Sequence, residues 1–474
     1  MWSDEQQAIL NGVANTEDNL IIESVAGSGK TSVIVEAAQS VPSNSIFLAF
    51  NKKIVQELSN KLPEHCQAST FHSVCWQFLK ERLPRGAKVN QYKSYDLLDK
   101  ITEGVGSAKP EVARLVSVAK NAGVGIFEPA KPEIFEELRE NYDIVSEEVE
   151  NEAICIAARQ ILRANERNLQ DVDFDDMLYM TLKFIKERGW SMHRYHTVFV
   201  DEAQDTNGVQ LALLNEMANR VIAVGDSYQA IYGFRGAGSN SMPDIKTMFG
   251  CHQYTMSISW RCPENVAKLA REIVPHFKAR PGAPDGYVEH HTPDKLMDFT
   301  SENDMIICRQ NAPLFGVALK LLKQRTPFKM TGKFPAMMQR FVKAFKTDDI
   351  PEFRERLTEW WKKQEAELTK KCKWGVLERE EDKFNCLWML QKECTSVGEI
   401  ISKLELMMNS RYGVTLSTVH GAKGLEASVV VILMPELMPS KYAKTEAQMQ
   451  QEMNLKYVAQ TRAMFKLVHI SGEG

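Results

Sequence analysis

Apolar residues fall in two kinds of run along this chain. Short unbroken runs of strand length recur at Leu20-Ile21-Ile22, at Ile46-Phe47-Leu48-Ala49-Phe50, at 197–201, at 221–225 and at Val429-Val430-Val431-Ile432-Leu433. An uninterrupted run of this kind suits a strand covered on both faces, as in a parallel sheet. Strands alternating with helical stretches predict an α/β fold with helices on both faces of parallel sheets. Ligands of such sheets bind beyond the carboxyl ends of the strands. Residues 81–172 have another texture, charged, Ala-rich and poor in β-branched runs, which predicts a mostly helical insertion. Strand patterns return at 285–310 and 414–434, so a second α/β domain is expected from about 261 to the end. It carries its own insertion at about 340–407, with Trp360, Trp361, Trp374 and Trp388. Helices packed by Trp and Leu, with solvated charged faces, are expected there.

A chain of 474 residues is too long for one compact core, which supports two or more domains. Hydrophobic residues at 44% and charged residues at 25% are ordinary for a soluble globular protein. A net charge of −4 argues against a wholly basic nucleic-acid coat but leaves room for a local basic channel. Nine cysteines are scattered from Cys66 to Cys394 without a CxxC. Reduced thiols in a cytosol-like compartment are expected rather than a metal or iron–sulfur site. The acidic opening Met1-Trp2-Ser3-Asp4-Glu5 is unlike a signal peptide, and no apolar run reaches the roughly 20 residues that span a membrane. A soluble cytoplasmic protein is expected.

Ser24-Val25-Ala26-Gly27-Ser28-Gly29-Lys30-Thr31 follows a predicted strand and opens a predicted helix. That is the context of a P-loop. Its glycines let backbone N–H groups face phosphates, and the helix N-terminus adds partial positive charge. Lys30 can reach the β- and γ-phosphates, and the Thr31 hydroxyl can ligate Mg²⁺. Thr197-Val198-Phe199-Val200-Asp201-Glu202 is a matching Walker B strand. It delivers Asp201 to Mg²⁺ and Glu202 to the attacking water.

Asp201-Glu202-Ala203-Gln204-Asp205-Thr206-Asn207 resembles the DExQDTN box of superfamily 1 helicases of the UvrD/Rep/PcrA group. Val224-Gly225-Asp226-Ser227-Tyr228-Gln229-Ala230-Ile231-Tyr232-Gly233-Phe234-Arg235-Gly236-Ala237 resembles their motif III. Residues 415–426, with Thr418, His420, Lys423 and Glu426, resemble motif V, and Tyr457-Val458-Ala459-Gln460-Thr461-Arg462-Ala463 resembles motif VI. Phe50-Asn51-Lys52-Lys53 is similar to motif Ia, Thr70-Phe71-His72-Ser73 to motif Ib, Trp260-Arg261 to motif IV and Arg309-Gln310-Asn311 to motif IVa. Asp173-Phe174-Asp175-Asp176 is similar to the block where the family re-enters its first domain.

The resemblance implies two RecA-like domains, the first from 1–80 and 173–260 with insertion 81–172, the second from 261–339 and 408–474 with insertion 340–407. It implies an ATP- and Mg²⁺-dependent 3′–5′ DNA helicase, stepping along single strands by ATP-driven domain closure. Arg261 and Arg462 would face the γ-phosphate, and Gln229 would couple it to DNA. Trp260 would stack on adenine, Glu426 would contact the ribose, and Gln6 would read the adenine edge; Ser3 and Gln6 also fit a helix capping box, the lesser alternative. DNA would be held by stacking on Phe71, His72, Tyr232 and Phe234, with Asn51, Lys52, Arg235, Asn311, Thr418 and His420 near the backbone. Partners would be single-stranded DNA, single-strand/duplex junctions and proteins of replication, repair or recombination, in the cytoplasm or host cytoplasm and at the nucleoid.

The family arginine after the P-loop threonine is Ser32 here, and the second insertion is small. The chain ends soon after motif VI, so a minimal motor is expected, closer to the F-box DNA helicase and phage-encoded branches. A translocase that strips proteins from single strands with little unwinding stays open. A DNA clamp with a degenerate ATPase is disfavoured by Lys30, Asp201, Glu202, Arg261 and Arg462. RNA as the track is a weaker alternative.

Overall fold

A computed structural model describes residues 2–49, 51–101, 105–142, 144, 146, 149–231 and 241–472. The chain divides into two compact units, 1–24 with 29–256, and 25–28 with 257–474. Three candidate DNA residues, Tyr232, Phe234 and Arg235, lie outside the described residues, as does Phe50.

The first unit is built on six parallel strands, in the spatial order Cys66–Ser69, Ser45–Leu48, Tyr195–Val200, Ala218–Gly225, Leu20–Ser24, His252–Met256. Both faces are covered, and the two-residue period of a strand sorts the side chains. Ile46, Leu48, Val198, Val200, Val221 and Ala223 enter one core. Phe47, Phe199, Ile222, Val224, Leu20 and Ile22 enter the other. This two-sided burial explains why the strands read as unbroken apolar runs. The P-loop strand and the Walker B strand flank Ala218–Gly225, so their ends lie two strand spacings apart, roughly 10 Å.

The expected helical region contains Lys93–Ile101, Lys109–Asn121, Pro132–Asn141 and Asn151–Arg167. Two short strands, Lys88–Val89 and Asp171–Val172, pair in parallel at its ends. Leu115, Val116, Ile154 and Ile161 share one core with Met177 and Leu178 of the Phe174–Arg188 helix.

The second unit repeats the scheme, with parallel strands in the order Tyr287–His291, Ala463–Ile470, Ala427–Leu433, Asp304–Cys308, Val414–Thr418, Phe328–Met330. Its helical segment runs from Phe334–Ala344 through Ile350–Lys370, Trp374–Gln391 and Val397–Asn409. Phe353, Leu357, Leu387, Leu390 and Ile400 pack in one core with Ile306, Leu416, Val431 and Val468 of the sheet. Among the described residues no helix is long and apolar enough to cross a membrane.

Candidate functional site

The P-loop leaves its strand at Ser24, whose hydroxyl donates to Gly225 O at 2.6 Å and ties it to the neighbouring strand end. Gly29 is the N-cap of the Lys30–Ala37 helix at φ 81°, a left-handed conformation that glycine adopts without Cβ strain. The first backbone N–H groups of that helix therefore point out of its end with no side-chain cap. Lys30 and Thr31 occupy its first turn. Thr31 Oγ1 donates to Asp201 Oδ2 at 3.1 Å, and Lys30 Nζ lies 3.6 Å from Glu202 Oε2. Two strand ends thus converge through the side chains named from sequence.

The Walker B carboxylates are arranged by a sharp turn. Glu202 has φ 51°, unusual for a residue with a Cβ, and its N–H donates to Asp201 Oδ1 at 2.9 Å. Asp201 is buried. Burial and then the Glu202 charge push its carboxyl up to about 6, against the pull of Lys30, the Glu202 N–H and the Thr31 hydroxyl. A carboxylate oxygen beside a threonine hydroxyl is a fitting donor pair for Mg²⁺. That ion typically takes one or two protein oxygens and completes its shell with water and phosphate oxygens.

A polar relay runs on from Glu202. Gln204 Nε2 donates to Glu202 Oε2 at 2.5 Å, and Gln204 Oε1 accepts from Asp226 N at 3.0 Å. Gln229 Nε2 donates to Asp226 Oδ2 at 2.6 Å. Gln204, Asp226 and Gln229 are all buried. A Cβ on Gly225 would stand 2.6 Å from Gln204 Oε1, so only glycine lets this link close. Glu23, at the end of the P-loop strand, accepts from Ser227 N and Oγ at 2.8 and 2.9 Å. Gln204, Asp226 and Glu23 were not singled out from sequence, although Gln204 and Asp226 sit inside the two most distinctive strings.

Gln6 does two things. It closes the capping box with Ser3, and its Nε2 lies 3.3 Å from where a Cβ on Gly29 would stand. Phe71 is buried in the first unit's core, which removes its ring from the surface where a base would stack. His72 is half-buried, edge-on to Phe174, with its imidazole pushed down by burial. Asn51 caps the Lys52–Ser59 helix by accepting from Ile54 N at 3.0 Å, and Lys52 beside it is exposed.

In the second unit, Ala26 N–H donates to Tyr457 Oη at 2.8 Å, and Trp260 N–H donates to Gly27 O at 2.8 Å. Ser28 is buried. Arg261 Nε donates to Glu426 Oε2 at 2.6 Å, and Trp260 keeps 44% of its surface exposed. Arg462 is buried. Its Nε donates to Val458 O at 2.8 Å and its Nη1 to Leu425 O at 3.2 Å. Thr418 Oγ1 accepts from Gly421 N at 3.2 Å, and His420 is half-buried. Asn311 has a partner of its own: Asp382 accepts from its Nδ2 at 2.9 Å and from its N at 3.0 Å. Tyr457 lies inside the motif VI string, which carries no signal for its contact because Ala26 is 431 residues away in sequence.

Comparison with known proteins agrees with this geometry. The family described as "UvrD/REP helicase N-terminal domain" matches residues 2–249, just over half of the chain. "ATP-dependent DNA helicase PcrA" of Staphylococcus epidermidis is 27% identical over 303 residues, covering 56% of this chain and 39% of the relative. The protein of the same name from Bacillus subtilis is 25% identical over 295 residues, 55% of this chain and 38% of its own. "Probable DNA helicase II homolog" of Mycoplasma pneumoniae is 26% identical over 296 residues, 56% of this chain and 41% of its own. The matched part therefore spans about two fifths of each of these relatives. With its P-loop, Walker B turn and glutamine relay inside the matched region, the chain belongs to the UvrD/REP helicase family.

Proposed function

We propose that this chain is an ATP-driven motor on single-stranded DNA, a DNA helicase moving 3′ to 5′ and stepping by ATP-driven closure of its two RecA-like domains. The division into 1–80 with 173–260, insertion 81–172, 261–339 with 408–474, and insertion 340–407 belongs to the same proposal. The observation that carries it is the convergence of Lys30, Thr31, Asp201 and Glu202, joined through Gln204 and Asp226 to Gln229.

Transfer of a γ-phosphoryl group to water is mostly positioning and charge neutralisation. The backbone of Ala26, Gly27, Ser28 and Gly29 would cradle phosphates, with Lys30 neutralising them. Thr31 and Asp201 would hold Mg²⁺, which supplies neutralisation of the phosphate oxygens when bound. Glu202 would orient and deprotonate the water, and Arg261 and Arg462 would offset charge on the γ-phosphate. Gln6, Trp260 and Glu426 would hold the nucleoside. Gln229 reports the state of Glu202 because each is one side chain away from the Gln204–Asp226 link. DNA contacts are proposed for Asn51, Lys52, His72, Thr418 and His420, and for Tyr232, Phe234 and Arg235. Single-strand/duplex junctions and the cytoplasm of the cell or host, at its DNA, are the proposed setting.

The test is steady-state ATP hydrolysis with and without oligo(dT), for the wild type and Glu202→Gln. Strong stimulation by DNA, lost in the variant with ATP binding retained, is expected. Hydrolysis indifferent to DNA would defeat the motor reading. The second reading, displacement of proteins from single strands with little unwinding, is favoured by the small insertion sharing one core with its sheet. Strand displacement measured beside protein displacement separates the two.

A further inference from the structure

Asn121 is the last residue of the Lys109–Asn121 helix in the first insertion and belongs to none of the motif strings. It nonetheless touches two of them. Its Nδ2 donates to Asp175 Oδ1 at 3.0 Å and to Ser117 O at 2.9 Å, and its Oδ1 accepts from Asn207 Nδ2 at 2.7 Å. Asp175 lies 54 residues away in sequence and Asn207 lies 86. The partners fix the orientation of both amides. Asn207 Oδ1 already accepts from Gln210 N at 2.9 Å, which turns its Nδ2 toward Asn121. An ionised Asp175 can only accept, so Asn121 must face it with Nδ2 and face Asn207 with Oδ1.

Both ends of this bridge are held. Lys120, the residue before Asn121, lies 2.6 Å from Asp173 and 2.8 Å from Asp176. One helix end thus grips all three carboxylates of the 173–176 block. Phe174, among them, meets His72 edge-on with ring centroids 6.3 Å apart. On the other side, the segment from Glu202 to Asn207 is short and bonded to itself. Asp205 N–H donates to Glu202 O at 2.9 Å, and Thr206 N–H donates to Ala203 O at 3.2 Å. Asn207 then caps the Gly208–Met217 helix. Hydrogen-bonded segments and packed side chains of this kind carry coupling between distant groups.

We infer that Asn121 is a positioning residue for Glu202, acting through Asn207, and that it lets a single strand lying against His72 act on hydrolysis from the far end of the Walker B turn, without passing through Gln229. The inference rests on the reading of this chain as a DNA-driven motor. Every residue of the route, from His72 through Phe174, Asp175, Asn121 and Asn207 to Glu202, belongs to the first unit. Asn121 itself holds neither nucleotide nor DNA in this arrangement; it sets where the Walker B turn ends.

The experiment measures ATP hydrolysis by the full chain at saturating oligo(dT), with KM for ATP, affinity for oligo(dT) and melting temperature alongside. Asn121→Ala should lower kcat by between about 2- and 30-fold. KM for ATP and the affinity for oligo(dT) should hold, as when positioning is felt only in the transition state. Asn207→Ser cuts the same link from its other side. Serine keeps the helix cap but is too short to reach Asn121, so a loss of the same size is expected. The two substitutions together should cost no more than one alone, because both remove a single link. Unchanged kcat in Asn121→Ala, whatever its melting temperature, would overturn the inference and leave Asn121 a structural tie. Losses that multiply in the double variant, or a loss confined to oligo(dT) affinity, would overturn it too. Wild-type hydrolysis that DNA does not stimulate would instead defeat the motor reading, and the inference with it.

Discussion

The two helical insertions are fastened to their sheets by buried charge, but with different chemistry. In the first unit Lys120 Nζ lies 2.6 Å from Asp173 and 2.8 Å from Asp176, and Lys93 Nζ lies 2.6 Å from Asp176. Lys93 also donates to Asn165 O at 2.9 Å. Both lysines and Asp176 are about as buried as side chains become. Burial opposes the Lys120 charge, yet the surrounding carboxylates outweigh it and raise its pKa; burial lowers that of Lys93. Burial likewise opposes ionisation of Asp176, which Lys120 and Lys93 outweigh.

In the second unit the cation is Arg309, which donates Nη2 to Glu452 Oε1 at 2.8 Å and to Glu378 Oε2 at 3.0 Å. The guanidinium itself keeps 15% of its side-chain surface and its partners 11–12%, so water reaches the rim; in the first network only Asp173, at 12%, is as open. One helix of the insertion supplies Glu378 to this cage and Asp382 to the N-terminus of the Asn311–Gln324 helix, where Asp382 Oδ1 accepts from Ala312 N at 2.7 Å. The contrast teaches that two ammonium groups left only 1% exposed are met by carboxylates and a carbonyl, whereas a guanidinium's fork satisfies two carboxylates at once and tolerates a wetter site. The first network also reaches the Walker B turn: Asn121 Nδ2 donates to Asp175 Oδ1 at 3.0 Å, and Asn207 Nδ2 donates to Asn121 Oδ1 at 2.7 Å.

Three changes test this contrast. Lys120→Met strands the fully buried Asp176, and Asp173 beside it, and should destabilise the first unit by about 3–5 kcal/mol. Urea unfolding followed by Trp190 fluorescence would read it, and adding Asp176→Asn should recover part of the loss. An unmoved midpoint would mean that the network contributes no cohesion. Arg309→Met leaves Glu378 and Glu452 without their cation, but closer to water, so a smaller cost of about 1–3 kcal/mol is expected. If it equals or exceeds the Lys120→Met effect, the distinction between dry and wet cages fails.

Acid gives the third and smallest effect. Burial, with His290 and Lys456 nearby, pushes His469 down to about 4 from an ordinary value of 6.5. A depressed folded-state pKa means that stability is complete above about 6.5 and is lost as pH falls toward 4. Between pH 7.5 and 6 the loss should be about 1 kcal/mol. Thermal melts across that range should show it in the wild type and not in His469→Gln. Equal slopes for the two proteins would remove His469 as the cause.

The P-loop and Walker B turn were legible because each is a contiguous string whose local backbone geometry is fixed by its own residues. Gly29 at positive φ, the strand before it and the helix after it need no distant partner. The relay was only half legible: Gln229 was named, but Gln204 and Asp226 gain their meaning from strands that become neighbours in the sheet. Phe71 shows the opposite failure. Its motif suggested a base-stacking ring, while its helix turns that position into the core. Asn311 likewise lies in a recognisable block, yet the atom that holds it is on Asp382, 71 residues away.

The sequence alone determined the alternation of buried strands and helices, the two helical segments and the glycine-rich turn before Lys30, because periodicity and short motifs act over a few residues. Tertiary structure decided which charges pair, which aromatic rings stay near the surface and which glutamine joins Glu202 to the next strand. Those outcomes depend on desolvation and on contacts between residues far apart in the chain, and neither is written in any local pattern.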